Sequence, residues 1–245
     1  NKKLPDRSSA HSESLYSLIN ALEQSDGDTG EHVRRTQQLS AALGSRLGLN
    51  DLDMSNLALL AMLHDIGKVG IPQEILNKPG ALSRAEWEML KTHVHKGYQI
   101  AVRSNELSGI ADYILYHHER WDGKGYPEGL KGEEIPLLSR IIAIVDASDA
   151  MSNNRAYRKA LSKSKIKQEL IAASGTQFDP DVTYEFISLL FSSDKKSVDE
   201  PDEDTDSIYT PPELPSSHRS SVSNTEDASG TISVISFSRY VINAA

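Results

Sequence analysis

The chain has 245 residues, enough for one sizeable domain with appendages, and no cysteine. Disulfides and thiolate metal sites are therefore excluded, and any metal ion must be held by histidine, carboxylate and water. The net charge of −9 disfavours a nucleic-acid-binding surface, and no run approaches the roughly 20 apolar residues of a membrane span, so we expect a soluble cytoplasmic protein without nucleic-acid or membrane partners.

The N-terminal segment, residues 1–25, is predicted to form a single connector helix. Its apolar residues recur at helical spacing at Leu15, Leu18, Ile19 and Leu22, on a stretch that is otherwise polar. Because the sequence does not begin with methionine, we expect it to be a piece of a longer protein with a sensor upstream.

Residues 26–191 form the body, and the spacing of their apolar residues predicts an all-α fold. Signals that start and stop helices define the elements. The first predicted helix runs from near Gly30 to Leu47, and the second starts at Asn50 and closes at His64 and Asp65. A capping box of Ser83 and Glu86 opens the third, which contains Trp87, Leu90 and Val94, and the fourth runs from about Glu106 to His118. Pro136 opens the fifth, and two shorter helices follow at Ser164–Ala173 and Asp181–Leu190.

The composition changes after the body. Residues 192–230 are rich in Ser, Asp, Glu and Pro, which predicts a largely disordered acidic linker. Residues 192–245 hold ten acidic and four basic residues, so most of the negative charge lies here. Residues 231–245 contain the partly alternating, β-branched stretch TISVISFSRYVI, which favours a short strand.

Histidines and aspartates of the body fall on the apolar faces of the predicted helices. His32 lies seven residues before Leu39, and His93 lies three after Leu90, so each shares a face with buried leucines. His95 falls on a polar face and is predicted to be solvated. The inward-facing set is His32, His64, Asp65, His93, His117, His118 and Asp146.

A buried metal centre explains why so many polar groups face the core. Burying each polar group without a partner would cost roughly 2 kcal/mol or more, whereas a metal ion takes neutral imidazoles and ionised carboxylates as ligands. Seven candidates exceed what one catalytic ion with open positions needs, so two ions are expected. Asp65 is the candidate bridge, because a carboxylate can bind one ion through each oxygen.

Two motifs carry a resemblance to a known family. HDIGK at His64–Lys68 resembles the metal motif of the HD hydrolases, and HHERWDGKGYP at His117–Pro127 resembles the second signature of their HD-GYP branch. Further stretches follow in the order and approximate spacing of that branch: KVGIPQEILNKPG, LKTHVHKG, EGLKGEEIPLLSRIIAIVDASDAM, YRKALS and GTQFDP. The HD dipeptide alone is a weak signal, but the ordered set is specific and covers about residues 26–191.

The resemblance implies an HD-type helical bundle around a binuclear metal centre, and a metal-dependent phosphodiesterase that opens cyclic di-GMP to linear pGpG, in some members continuing to GMP. Carried over by position, its metal ligands are the same seven residues that the helical faces select. Two alternatives stay open: a non-catalytic cyclic di-GMP receptor that signals through protein partners, and a phosphodiesterase for another cyclic mononucleotide or dinucleotide.

The resemblance also assigns catalytic and substrate-binding roles. Asp65 and Lys68 are the predicted catalytic residues, Lys68 adding positive charge at the phosphate. Arg155, Arg158 and Lys159 are predicted to meet substrate phosphates or guanine, with a solvated basic patch as the plain alternative. Gly125, Tyr126 and Pro127 are expected to form a wall of the substrate site and a docking surface for diguanylate cyclase domains.

Metal identity and assembly are less constrained by the sequence. Imidazole and carboxylate ligands suit several transition metals, and the resemblance favours iron or manganese over zinc, cobalt or nickel. Asp28 occupies the position where some family members have a glutamate that binds a third ion, one methylene shorter here. Residues 12–24 are the candidate for a homodimer contact.

Overall fold

The structure is a computed structural model that describes residues 29–154 and 159–191. Several predictions lie outside these residues: the connector helix, the dimer contact, the acidic linker, the C-terminal strand, and the roles of Asp28, Arg155 and Arg158.

The described residues form nine α-helices and three short 3-10 helices, and they contain no β-strand, which confirms the all-α prediction. The α-helices are α1 (Thr29–Arg46), α2 (Asp51–Leu63), α3 (Gln73–Leu76), α4 (Arg84–Lys91), α5 (His93–Ala101), α6 (Ala111–Tyr116), α7 (Leu137–Ser152), α8 (Lys163–Ala173) and α9 (Pro180–Phe191). The 3-10 helices are Ile66–Gly70, Ser108–Ile110 and Gly132–Glu134. None of the described helices combines the length and the apolar character needed to cross a membrane.

Several helix boundaries follow from local chemistry that the sequence displays. Gly48, just after α1, has a φ of 74°, a conformation that glycine adopts without strain. The Asn50 side chain caps α2 by accepting from the Asp53 N–H at 2.9 Å. The predicted capping box is present: the Glu86 N–H donates to Ser83 Oγ at 3.3 Å, and the Ser83 N–H donates to Glu86 Oε2 at 2.7 Å.

Two predicted helices are shorter than expected. The helix after the capping box breaks at Thr92, whose hydroxyl donates to the Met89 carbonyl at 2.6 Å, so that Val94 belongs to the next helix. The helix predicted from Glu106 to His118 begins as a 3-10 turn and ends at Tyr116. His117 and His118 consequently lie at its C-terminal end, outside the regular helix.

Helix α7 is the central element of the core. It packs against α1, α2, α6, α8 and α9, and its apolar residues Ile141, Ile142, Ile144 and Val145 are fully buried. Burying a side chain of this size contributes about 1.5–3 kcal/mol. Asp146 follows this run directly, so the packing that stabilises α7 also fixes the position of a carboxylate.

A close backbone approach joins the Ile66–Gly70 turn to α5. A Cβ atom at Gly67 would lie 1.9 Å from the His93 carbonyl oxygen, closer than any side chain permits. Gly67 therefore allows this turn, with Asp65 just before it and Lys68 within it, to lie against the start of α5, where His93 is located.

Candidate metal centre

The seven inward-facing residues predicted from the sequence come together in two adjacent groups. The four-residue group comprises Asp65, His93, His117 and His118, and the three-residue group comprises His32, His64 and Asp146. Within each group, one potential ligand atom from every residue lies within 4.8 Å of the others. These residues come from α1, α5, α7 and the C-terminal ends of α2 and α6.

Asp65 faces both groups. Its Oδ1 lies 3.4 Å from His93 Nε2 and 3.8 Å from His117 Nε2, in the four-residue group. Its Oδ2 lies 3.3 Å from His64 Nε2, in the three-residue group. The two carboxylate oxygens are thus directed as those of a bridging ligand would be.

Backbone carbonyls orient two of the imidazoles. His93 Nδ1 lies 2.8 Å from the Leu90 carbonyl oxygen, and His117 Nδ1 lies 2.6 Å from that of Ile114. A carbonyl only accepts, so each Nδ1 carries the hydrogen and each Nε2 has a free lone pair. This arrangement, with the far ring nitrogen donating, is the one that metal-binding histidines adopt.

The nitrogen and oxygen atoms that face the cluster are suitable ligands for divalent cations. Buried ligand atoms with no hydrogen-bond partner among the described residues are Nδ1 and Nε2 of His64, Oδ1 of Asp65, Nε2 of His93, His117 and His118, and Oδ1 of Asp146. Each such atom would cost about 1–3 kcal/mol if it stayed unsatisfied. Imidazole nitrogens and carboxylate oxygens that lie this close together are a suitable ligand set for divalent transition metals.

Protonation states support this fit. Burial lowers the pKa of His93 to about 4 and holds the pKa values of His117 and His118 well below the ordinary histidine value. Burial alone would raise the pKa of Asp65, but Lys68 and His64 outweigh it and hold that pKa well below its ordinary value. Neutral imidazoles and an ionised carboxylate are the forms that bind metals.

His64 differs from the other buried imidazoles. Burial lowers its pKa, but the contact with Asp65 outweighs burial and raises the pKa above the ordinary value. A cation that binds between these two residues therefore competes with a proton for the same ring.

Lys68 is buried at the centre of the site. Its side chain is 1% exposed, and its Nζ lies 2.8 Å from Asp65 Oδ2. This burial excludes a solvated surface position for Lys68, whereas its contact with phosphate stays a prediction.

A cleft of about 270 Å³ opens onto His117, His118 and Asp146. Gly125 and Tyr126 line it, together with Trp87. The Tyr126 ring stacks on His118 with 5.0 Å between centroids, and Trp87 meets Tyr126 edge-on at 6.1 Å. The cleft therefore borders both groups, through His117 and His118 of the four-residue group and Asp146 of the three-residue group.

Three described residues of the predicted substrate set, Lys68, Pro127 and Lys159, do not line this cleft. Pro127 follows Tyr126 through a cis peptide bond and is absent from the lining, and Lys159 is exposed to solvent. Their contacts with substrate stay predictions.

Glu119 is a residue that the sequence reasoning missed. It is 4% exposed, and its Oε1 accepts from the N–H groups of Glu128 and Gly129 at 2.7 and 2.9 Å. A Cβ atom at Gly125 would lie 2.4 Å from the Arg120 nitrogen, so the loop returns very close to its start. Glu119 therefore fixes the loop that carries Tyr126. The sequence feature that could have identified it is a carboxylate directly after two inward-facing histidines.

Asp149 was missed as well. It is 3% exposed and contacts His32 Nδ1 at 2.7 Å. Burial would raise its pKa, but hydrogen bonds from His32 and Arg35 outweigh burial and lower it. The sequence feature that could have identified it is its spacing of three residues from Asp146, which puts both carboxylates on neighbouring positions of one face of α7.

The chain is similar to a known protein family and to several curated proteins. A family model described as HD domain matches residues 16–182. A cyclic di-GMP phosphodiesterase of Thermotoga maritima is 39% identical over 78% of this chain and 53% of its own length. The cyclic di-GMP phosphodiesterase response regulator RpfG of Xanthomonas campestris is 38% identical over 69% of this chain and 45% of its own length.

Relatives with a different named substrate are equally similar. A 3′3′-cGAMP-specific phosphodiesterase 2 of Vibrio cholerae is 40% identical over 69% of this chain and 33% of its own length. The chain thus spans about half or less of the length of these curated relatives.

Solved structures share the fold. The V. cholerae cyclic GMP-AMP specific phosphodiesterase V-cGAP3 aligns with a TM-score of 0.54 and 26% identity, covering 75% of this chain and 50% of its own. The HD domain of the Listeria monocytogenes phosphodiesterase PgpH aligns with a TM-score of 0.50 and 17% identity over 75% of this chain and the whole of its own, a likeness of fold alone.

Proposed function

Because the chain belongs to the HD domain family, in the HD-GYP branch that its motifs resemble, we propose that it is a metal-dependent phosphodiesterase that hydrolyses cyclic di-GMP to linear pGpG. The observation that carries this proposal is the clustering of seven histidine and aspartate ligands in two groups that Asp65 joins. Membership of the family and this cluster together imply divalent metal ions.

The proposed ligands are the residues of the two groups, with Asp65 shared between them. Two divalent ions held there would activate a water molecule and neutralise negative charge on the phosphate. We propose iron or manganese, which imidazole and carboxylate ligands suit. The chain's own contribution is a set of neutral imidazoles with free Nε2 lone pairs and a buried ammonium group at Lys68.

Lys68 has a double role in this proposal. Its Nζ, 2.8 Å from Asp65 Oδ2, keeps the carboxylate ionised. As a buried positive charge it also attracts the anionic phosphodiester and stabilises the charge that develops on its oxygens, because the electrostatic interaction is stronger away from water.

The cleft supports a substrate with aromatic bases. Tyr126 and Trp87 form an aromatic wall next to the histidine pair, and Lys91 Nζ lies 5.8 Å from the centre of the Tyr126 ring. A nucleotide combines a base that packs against such a wall with a phosphate that a metal centre binds.

A second candidate substrate is 3′3′-cGAMP, which the names of a relative at 40% identity and of the V-cGAP3 structure favour. We further propose that diguanylate cyclase domains dock at the loop of Gly125, Tyr126 and Pro127, and that a homodimer forms through residues 12–24. Contacts of Arg155, Arg158 and Lys159 with substrate and a third ion at Asp28 are proposals as well.

The test is incubation of manganese-loaded protein with cyclic di-GMP, 3′3′-cGAMP and cyclic di-AMP, followed by ion-exchange separation of the products. We expect linear pGpG from cyclic di-GMP, and no product after metal removal with a chelator. Turnover of 3′3′-cGAMP alone would support the second substrate. Binding of cyclic di-GMP by the wild-type protein without any turnover would instead identify a receptor.

A further inference from the structure

His32 differs from His93 and His117 in what holds its ring. Its Nδ1 lies 2.7 Å from Asp149 Oδ2, a contact that joins α1 to α7. An ionised carboxylate only accepts, so Nδ1 carries the hydrogen and Nε2 presents its lone pair. That Nε2 lies 3.6 Å from Asp146 Oδ1, inside the three-residue group.

Asp149 is itself held firmly. Arg35 donates to it through Nε at 2.5 Å and through Nη2 at 3.0 Å, and Asn153 Nδ2 donates to Oδ1 at 3.1 Å. The two bonds from one guanidinium fix the plane of the carboxylate. Since Asp149 is 3% exposed, water cannot easily replace these partners.

We propose that Asp149, fixed by Arg35, is a positioning residue that orients His32 for the ion of the three-residue group. The carboxylate sets the tautomer and angle of the imidazole and makes Nε2 a stronger donor to a cation. Because Asp149 follows Asp146 by three residues, one turn of α7 supplies both a ligand and the anchor of another ligand. This inference rests on the proposed metal-dependent function.

The four-residue group should not depend on this pair. His93 and His117 are oriented by the carbonyl oxygens of Leu90 and Ile114. Loss of the Asp149 carboxylate should therefore weaken one ion selectively and leave the other in place.

The experiment is a titration of the metal-free full chain with Mn²⁺, in which electron paramagnetic resonance counts the free ions. The variants are Asp149→Asn, which keeps the shape and removes the charge, and Arg35→Gln, which removes the partner from a partly exposed position. Asp179→Asn is the matched control, because Asp179 is also a buried carboxylate, 5% exposed, paired with an arginine, Arg140, at 2.5 Å.

The wild-type protein should bind two ions per chain. Asp149→Asn and Arg35→Gln should each retain one ion at wild-type affinity and bind the second about 10–100-fold more weakly. Asp179→Asn should bind both ions as the wild type does, even where it unfolds at a lower temperature.

The inference is overturned if Asp149→Asn and Arg35→Gln bind both ions with wild-type affinity. It is also overturned if these two variants and Asp179→Asn all lose affinity for both ions to the same extent. If Asp149→Asn does not fold, Arg35→Gln decides the outcome. A wild-type chain that binds two ions while the variants are unaffected refutes this inference alone, whereas a wild-type chain that binds no Mn²⁺ refutes the proposed function as well.

Discussion

The two ligand groups are anchored in different ways. In the four-residue group, backbone carbonyls orient His93 and His117, which are 0% and 3% exposed. In the three-residue group, the side chain of Asp149 orients His32, which is 19% exposed. A carbonyl acceptor is fixed by the helix that carries it, whereas a carboxylate anchor depends on further side chains. We therefore expect the four-residue group to be the more rigid half of the proposed centre.

Removal of a ligand should have the largest effect. We expect His93→Ala to lower kcat/KM for a cyclic dinucleotide by about 1,000-fold or more, because a catalytic ion contributes several kcal/mol to transition-state stabilisation. His32→Ala should lower it less, since water can replace a partly exposed ring. Steady-state kinetics with matched metal loading measures both.

His95→Ala is the control for His93→Ala, because it lies two residues away on α5 and is exposed. It should retain wild-type kcat/KM. An equal loss in His93→Ala and His32→Ala would contradict the proposed difference between the groups.

Acid should destabilise the metal-free protein through the four-residue group. Folding lowers the pKa of His93 from 6.5 to about 4, so between these pH values the unfolded chain binds a proton that the folded chain does not. Stability is then lost as the pH falls from about 6.5 toward about 4, by on the order of 3 kcal/mol for His93. Urea unfolding at a series of pH values measures this loss.

His93→Gln should flatten that pH dependence, since glutamine does not titrate. The prediction fails if the variant and the wild type lose stability with the same slope across this pH range.

Substitution of Gly67 should have a smaller effect on stability. A Cβ atom there would meet the His93 carbonyl oxygen, so Gly67→Ala must push the Ile66–Gly70 turn away from α5. We expect a loss of about 1–3 kcal/mol and weaker binding of the ion in the four-residue group, measured by thermal unfolding and metal titration.

Gly109→Ala is the matched control, because the nearest atom to its Cβ would be Asn56 Oδ1 at 3.7 Å, an ordinary contact. Unchanged stability in Gly67→Ala would show that the close backbone approach does not position the four-residue group.

Much of this site could be predicted from the sequence, because helical periodicity states which side chains share a buried face. It selected all seven residues of the two groups, and the capping signals located the starts of α2 and α4. Periodicity does not state which distant residue a side chain meets. The contact between His32 and Asp149 spans 117 positions, and the break at Thr92 depends on one hydroxyl, so neither was predicted.

The most direct test of the account is the number of ions bound per chain, because the central claim is a pair of ions that share Asp65. Protein purified anaerobically should contain two iron or manganese ions per chain by elemental mass spectrometry, and Asp65→Ala should contain at most one. A wild-type chain that holds one ion or none after metal loading, or an Asp65→Ala chain that still holds two, would contradict it.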